Sequence, residues 1–431
     1  MTATSASRRG FLRSLAATTA VVSAAGPTAL ATATHAAQPA RRKTIALLGT
    51  VVFKHSHAQH FIDRFALGYG WQGEWQPSGV DLVSLYIDQF PEGDLGRDRA
   101  KRYGIPLYSS IREALCRGGD QLAVDGVVII GEHGNYPKTE SGQTLYPRHR
   151  WFKEVVRVFE SAGRSVPVFN DKHLSTSWTE CAEMVEDARR LRFPFLAGSS
   201  LPVTWRLPAL DVPFGTPLEE SVCACYGGVD SYDFHGLETA QCMSERRRGG
   251  ETGIRSVHAL RGARVWEAMA ARPKTQRLLA AALSRSHTLP VENGFPTGAI
   301  TYDWARQAFP DPIGYFIEHR DGFHTSMFLL PIRDFNYAGL RADDGRVIAC
   351  QMYLPMPGSS ATTADFFNPL VHHIERMVIE RRAPYPVERT LLTSGMTLAA
   401  VESLHRGQVR VETPEMTVRY RAPKASTFWR D

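Results

Sequence analysis

The stretch that decides the fold is residues 45–65, IALLGTVVFKHSHAQHFIDRF. An uninterrupted apolar run ends in Gly49, and the residues from His57 onward repeat apolar positions with the period of a helix, so the segment reads as a buried strand followed by an amphipathic helix. A strand, a glycine and a helix open a dinucleotide-binding βαβ unit. The fingerprint of that unit asks for three glycines, however, and after Gly49 this chain carries Thr50, Val51, Val52, Phe53 and Lys54, then His55, His57 and His60.

Working outward, strand and helix alternate six times before residue 200. VDLVSLYID (80–88) is a second strand ending in an acid, VDGVVIIGEHG (124–134) a nearly all-apolar one, and VPVFNDKH and FPFLAGSSL two more, with amphipathic helices such as WFKEVVRVFESAG (151–163) between them. Alternation of this kind gives an open, doubly wound parallel sheet covered on both faces. GYGWQGEWQPSG (68–79) is a Gly/Trp-rich loop that lengthens the first crossover. Beyond LPVTWRLP (201–208) the rhythm changes, and IGYFIEHRDGFHTSMFLLP and RVIACQMYLPMPG read as long antiparallel strands, with helices at 366–382 and 394–407 and a last strand in VRVETPEMTVRY. The expectation is a Rossmann-like α/β domain over 43–200 and an α+β domain with an antiparallel sheet over 201–431.

Residues 1–37 contain Ser7-Arg8-Arg9-Gly10-Phe11-Leu12, an uncharged stretch and small residues near Ala36, the pattern of a twin-arginine export signal. It implies the twin-arginine translocase as a partner and a destination in the periplasm or outside the cell. The net charge of +6 less the three arginines of that segment leaves +3, too little for nucleic acid, and no basic run is interleaved with aromatics. SERRRGG (244–250) reads as a solvated helix end. The six cysteines lack the spacing of a zinc site and read as buried thiols, Cys223 and Cys225 sharing one face of a strand.

Ligands of such sheets sit beyond the carboxyl ends of the strands. Gly49, Thr50 and His57 follow the first strand there. Asp88 ends the second, where an acid takes ribose hydroxyls and favours NAD over NADP; Glu132 and His133 end the fourth; Asp171, Lys172 and His173 end the fifth. Lys172 beside an acid is a candidate proton-transfer group, and His235 beside Asp233 a candidate general base.

These pieces resemble the glucose–fructose oxidoreductase, inositol dehydrogenase and rhizopine-catabolism group (Gfo/Idh/MocA) over about 43–420. YIDQFPEGDLGRDRAKRYGIPLYSSIREAL and VDGVVIIGEHG are similar to its second and fourth strands; VPVFNDKHLS stands where it has Glu-Lys-Pro; GGVDSYDFHGLE resembles its segment with the catalytic histidine; and ERTLLTSGMTLAAVESLHRGQVRV looks like its closing helix. The resemblance implies a catalytic Lys172, with Asp171 at the motif's glutamate and His173 at its proline, a catalytic His235 near Asp233, Glu238 at the last acid, and a homo-oligomer. It further implies an exported NAD(P)-dependent oxidoreductase of a sugar or polyol, with the cofactor tightly bound. The departures fall at the glycine loop, at Glu-Lys-Pro and after the fourth strand, and they leave a second reading: a carbohydrate lyase, hydrolase or isomerase in which His57, His60, Glu132, His133, Asp171 and His173 bind a divalent metal. A non-catalytic binding protein is the third.

Overall fold

The computed structural model describes residues 41–291, 295–296, 298–355 and 363–428; the expected export segment lies outside them. Thr44–Gly49 is buried at all six positions and pairs in parallel with Asp81–Ile87 on one side and Gly126–Ile130 on the other. The sheet runs Leu107–Tyr108, Asp81–Ile87, Thr44–Gly49, Gly126–Ile130, Val168–Asp171, Phe195–Gly198, all parallel. Its apolar runs are continuous because both faces are covered. Ile45, Leu47, Val128, Ile130, Phe169 and Leu196 enter one core, while their neighbours Ala46, Leu48, Val127, Ile129, Val168 and Ala197 enter the core on the opposite face. The chain winds outward from Thr44–Gly49 in one direction and then in the other, so the sheet's switch point lies between that strand and Gly126–Ile130.

The first helix, His57–Leu67, starts where Ser56 Oγ accepts the Gln59 amide and stops at Gly68, whose φ of 90° lets its amide reach Arg64 O at 2.8 Å. The Gly/Trp-rich segment expected as a loop is a small hairpin, Tyr69–Trp71 against Glu74–Gln76.

The second sheet has eight strands and is mixed. Its pairings are antiparallel as expected, Leu218–Tyr226 with Phe335–Arg341 among them, except that Leu218–Tyr226 also pairs in parallel with His324–Leu330; the side-chain period is 2 in both pairings, so the sequence does not distinguish them. IGYFIEHRDGFHTSMFLLP is a hairpin of Ile313–His319 and His324–Leu330, and the closing strand shrinks to Val411–Glu412 ahead of Pro414, which has no amide to donate. Along Leu218–Tyr226, Cys223 and Cys225 face the helix Asp233–Ser244, while Val222 and Ala224 face the helix Pro273–Leu283. All six cysteines are buried and unpaired. Of the three arginines expected at a solvated helix end, Arg248 is exposed but Arg246 and Arg247 are buried: Arg247 lies 3.1 Å from Glu251 and 2.9 Å from Asp321, and Arg246 Nε donates to Val212 O at 2.7 Å.

Two late helices return to the first sheet. Leu370, Ile374, Met377 and Val378 of Asn368–Glu380 share a core with Ile45 and Val128, and a Cβ on Gly126 would stand 2.6 Å from Val378 Cγ2. Glu388–His405 packs on both Trp178–Arg190 and Asp233–Ser244. Its Thr390 donates to Ala197 O at 2.7 Å, and Arg389 Nε, fully buried, to Glu245 at 2.9 Å.

Gly198 ends the sixth strand with φ of 120°, and a Cβ there would collide with the Glu238 carboxylate. Gly198→Ala is therefore expected to cost roughly 2–4 kcal/mol in urea unfolding, from a disfavoured backbone region plus a displaced buried acid; an unchanged midpoint would contradict this packing.

Candidate active site at the sheet switch point

The start of the first helix and the ends of the fourth and fifth strands bring three polar side chains together. His57 opens the first helix with its Nδ1 2.8 Å from Asp171 Oδ2 and 3.4 Å from Glu132 Oε1. Glu132 and Asp171 are 4% and 1% exposed. Lys172 Nζ rests on Glu132 Oε2, and His133 Nε2 lies 3.1 Å from Glu132 Oε1 on the solvent side. Lys172 adopts φ of 60°, a left-handed conformation held by its amide donating to Gly198 O at 3.0 Å, which turns its side chain off the strand line into the cluster.

Burial sets the charge states. It pushes the Asp171 carboxyl up to about 8, against the opposing pull of Arg148 and His133, and pulls the Lys172 ammonium down to about 7. Burial, then the neighbouring Lys172, His133 and Arg148, holds His57 well below the usual imidazole range, so its ring is neutral. His235 is neutral for the same first reason, and the charges of Lys172, His57 and His173 lower it further. Its ring lies beside Tyr232 and Phe335, and its Nδ1 has no hydrogen-bond partner among the described residues. Lys172 from the parallel sheet and His235 from a helix on the mixed sheet thus lie within electrostatic reach of each other.

The other expected residues go elsewhere. Asp233, expected beside His235 as its acid, takes Tyr315 OH at 2.9 Å and the amides of Asp230, Ser231 and Phe234, so it braces the turn into its helix. His173 is occupied by Arg148 Nη1, 3.0 Å from its Nε2, and its Nδ1 lies 3.2 Å from Ser175 O. His60 stacks on Phe367 at 5.2 Å and, with His55, lines a cavity that contains none of the cluster's residues. Of the six residues expected to hold a metal, the structure gathers His57, Glu132 and Asp171. Buried Arg148, inside YPRHRWF, carries no signal in the sequence; it arrives because the helix Arg148–Ala162 begins over the fourth strand end.

A dinucleotide would have to lie across the switch point, and the residues present do not fit one. Asp88 stands at its strand end as expected, but its two oxygens already accept Tyr86 OH at 2.8 Å and Tyr136 OH at 2.6 Å. Gln89 binds both backbone groups of Asn135, and Thr50 Oγ1 donates to Glu132 O, so the loops after the first, second and fourth strands are stitched together. Val51 and Val52 fill the floor where glycines would leave room. At the helix start the amides of Phe53 and Gln59 go to Ser56 Oγ, and that of His55 to Gln59 Oε1. Gly49 keeps a close-packing role, a Cβ there standing 3.0 Å from Ile87 Cδ1.

No protein-family model matches the sequence, and no curated protein matches it. Solved structures match its fold. GenD2 from gentamicin A biosynthesis, in complex with NAD, is 13% identical over 86% of this chain and 96% of its own, with a TM-score of 0.54. The myo-inositol dehydrogenase of Lactobacillus casei, in complex with NAD(H) and myo-inositol, is 12% identical over 86% and 97%, at 0.53. A myo-inositol dehydrogenase of Corynebacterium glutamicum is 12% identical over 86% and 99%, at 0.50. At these identities the likeness is one of fold, and the fold is that of the Gfo/Idh/MocA-type dehydrogenases.

Glu238 closes the site from below, taking the Ser199 amide at 3.0 Å together with the Ser199 hydroxyl, and burial pushes its carboxyl from 4.5 up to about 8 despite those bonds. A raised acid stabilises the fold most below its unfolded pKa and loses that contribution as pH rises through the folded value. Urea midpoints are expected to fall between pH 5 and pH 9, and to fall less in Glu238→Gln; equal slopes in the two proteins would remove Glu238 as the cause.

Proposed function

We propose that the chain is an enzyme of sugar or polyol chemistry that interconverts a hydroxyl-bearing and a carbonyl carbon, with Lys172 and His235 as its proton-transfer pair. The observation that carries this reading is the unpartnered, buried Nδ1 of His235 within electrostatic reach of Lys172, the two standing at the positions where the sequence resemblance puts a catalytic lysine and histidine. The fold supports it: the solved neighbours include two myo-inositol dehydrogenases, one of them in complex with NAD(H) and myo-inositol, and GenD2 in complex with NAD.

Because Lys172 is held near neutrality, its free amine is populated at ordinary pH and can take a proton from a substrate hydroxyl. Glu132 holds the amine in place, and the open Nδ1 of neutral His235 is free to hydrogen-bond the same or the neighbouring oxygen. The filled crevice determines where the hydride goes. No step runs through a dinucleotide, so the acceptor is a second carbon of the substrate: the C–H hydride moves from the carbinol carbon to an adjacent carbonyl carbon, and the proton held by Lys172 passes to the former carbonyl oxygen. Oxidation of one carbon is balanced by reduction of its neighbour, and nothing external is consumed. This suits an exported protein, which the twin-arginine motif proposes, since the reaction then draws on no cytoplasmic cofactor pool. Oligomerisation through the mixed sheet belongs to the same proposal.

The test uses purified protein and a panel of aldoses, ketoses and polyols followed by NMR, with deuterium at the carbinol carbon. Conversion with deuterium retained in the product is expected, and Lys172→Met and His235→Asn are each expected to slow it by about 100-fold or more while far-UV circular dichroism is unchanged. Near-normal rates in both variants would overturn the assignment. Nucleotide absorbance at 260 and 340 nm in the supernatant of denatured protein would return the chain to the cofactor chemistry of its neighbours.

A further inference from the structure

We infer that His57, Glu132 and Asp171 bind one divalent transition-metal ion, at the place where the fold's solved relatives with NAD would lead one to look for a pyrophosphate. One nitrogen of His57 and one oxygen each of Glu132 and Asp171 lie within 4.8 Å of one another. They come from the start of the first helix and from the ends of two adjacent strands, so the backbone of a rigid sheet fixes their spacing. An imidazole with two carboxylates is a donor set for manganese, iron(II) or zinc. It leaves coordination positions open for two oxygens of a substrate, as a catalytic centre requires.

A second observation is independent of that spacing. Asp171 is 1% exposed and its Oδ1 has no hydrogen-bond partner among the described residues, an expensive arrangement for a buried carboxylate unless a cation satisfies it. The positive groups around it are Arg148, committed to His173, and Lys172, which rests on Glu132. An ion has a path to the site, because the side chains of His57 and His133 are 18% and 43% exposed. Binding would exchange the ammonium on Glu132 for the metal and leave Lys172 Nζ beside the substrate. The loop stitching that excludes a dinucleotide also orients the ligands, since Thr50 holds the backbone of Glu132.

The inference rests on the site and not on the substrate. Full-length protein is stripped with a chelator and titrated with Mn²⁺, and bound ion is read from loss of the free-ion EPR signal. One ion per chain is expected, its affinity reduced at least about 100-fold in both Asp171→Asn and His57→Gln. His60→Ala, which alters a ring outside the trio, is expected to leave affinity unchanged. Circular dichroism and thermal melting of each apo variant show whether it is folded. If Asp171→Asn does not fold, His57→Gln alone decides, because that ring is partly exposed. Absence of saturable Mn²⁺ and Zn²⁺ binding, or equal affinity in folded wild type and His57→Gln, overturns the inference. Conversion of sugar by chelated protein would also overturn a catalytic metal while sparing the proposed reaction. Tight binding with no conversion of any sugar would support the metal site and sink the reaction instead. Lys172→Met, which removes no ligand, is expected to retain the ion and lose turnover.

Discussion

Everything at the centre of this protein follows from keeping charge out of water. Glu132, Asp171 and Arg148 are held at the end of a parallel sheet with almost no solvent contact, beside a Lys172 whose side chain is 16% exposed, and an isolated ion there would cost far more than a fold can tolerate. The arrangement persists because each charge has a partner or has shed its charge. Glu132 takes the lysine, burial keeps Asp171 near its own neutralisation, and three imidazoles stay unprotonated. A site balanced this closely responds strongly to one added proton, one cation or one substrate hydroxyl.

The same economy explains the crevice. In a sheet of this topology the ends of the first, second and fourth strands border an open groove. Here Tyr136 reaches back to Asp88, Asn135 pairs with Gln89 and Thr50 holds Glu132. Polar groups that a bound ligand would otherwise satisfy are satisfied by the protein, which converts a binding groove into a wall beside His57, Asp171 and Lys172.

Much of the first sheet was legible in the sequence, because strands covered on both faces must be apolar without interruption and because polar residues appear only where they end. That logic pointed to Glu132, Asp171 and Lys172 before any coordinates. It could not reach Arg148, nor the bonds of Tyr136 to Asp88 and of Tyr315 to Asp233, because those pairings join residues 48 to 82 positions apart and depend on how elements pack rather than on local pattern. The parallel pair in the mixed sheet was hidden for a related reason: alternation along a strand reports which face is buried and is silent on the direction of its neighbour.

The return of the helix Asn368–Glu380 to the first sheet bears on how the chain is made. Its Val378 closes over Gly126 and Ile45, so part of the face of a sheet whose last strand is Phe195–Gly198 stays open while seven of the mixed sheet's eight strands are being synthesised. At ordinary ribosomal speed that interval is roughly 10–40 seconds. During it, an apolar surface waits on the nascent chain, and a ribosome that stalls before Asn368–Glu380 has been made releases a product that cannot cover it. Holding factors and quality control would therefore meet this protein at its half-made stage, with the uncovered face of its first sheet as the surface they recognise.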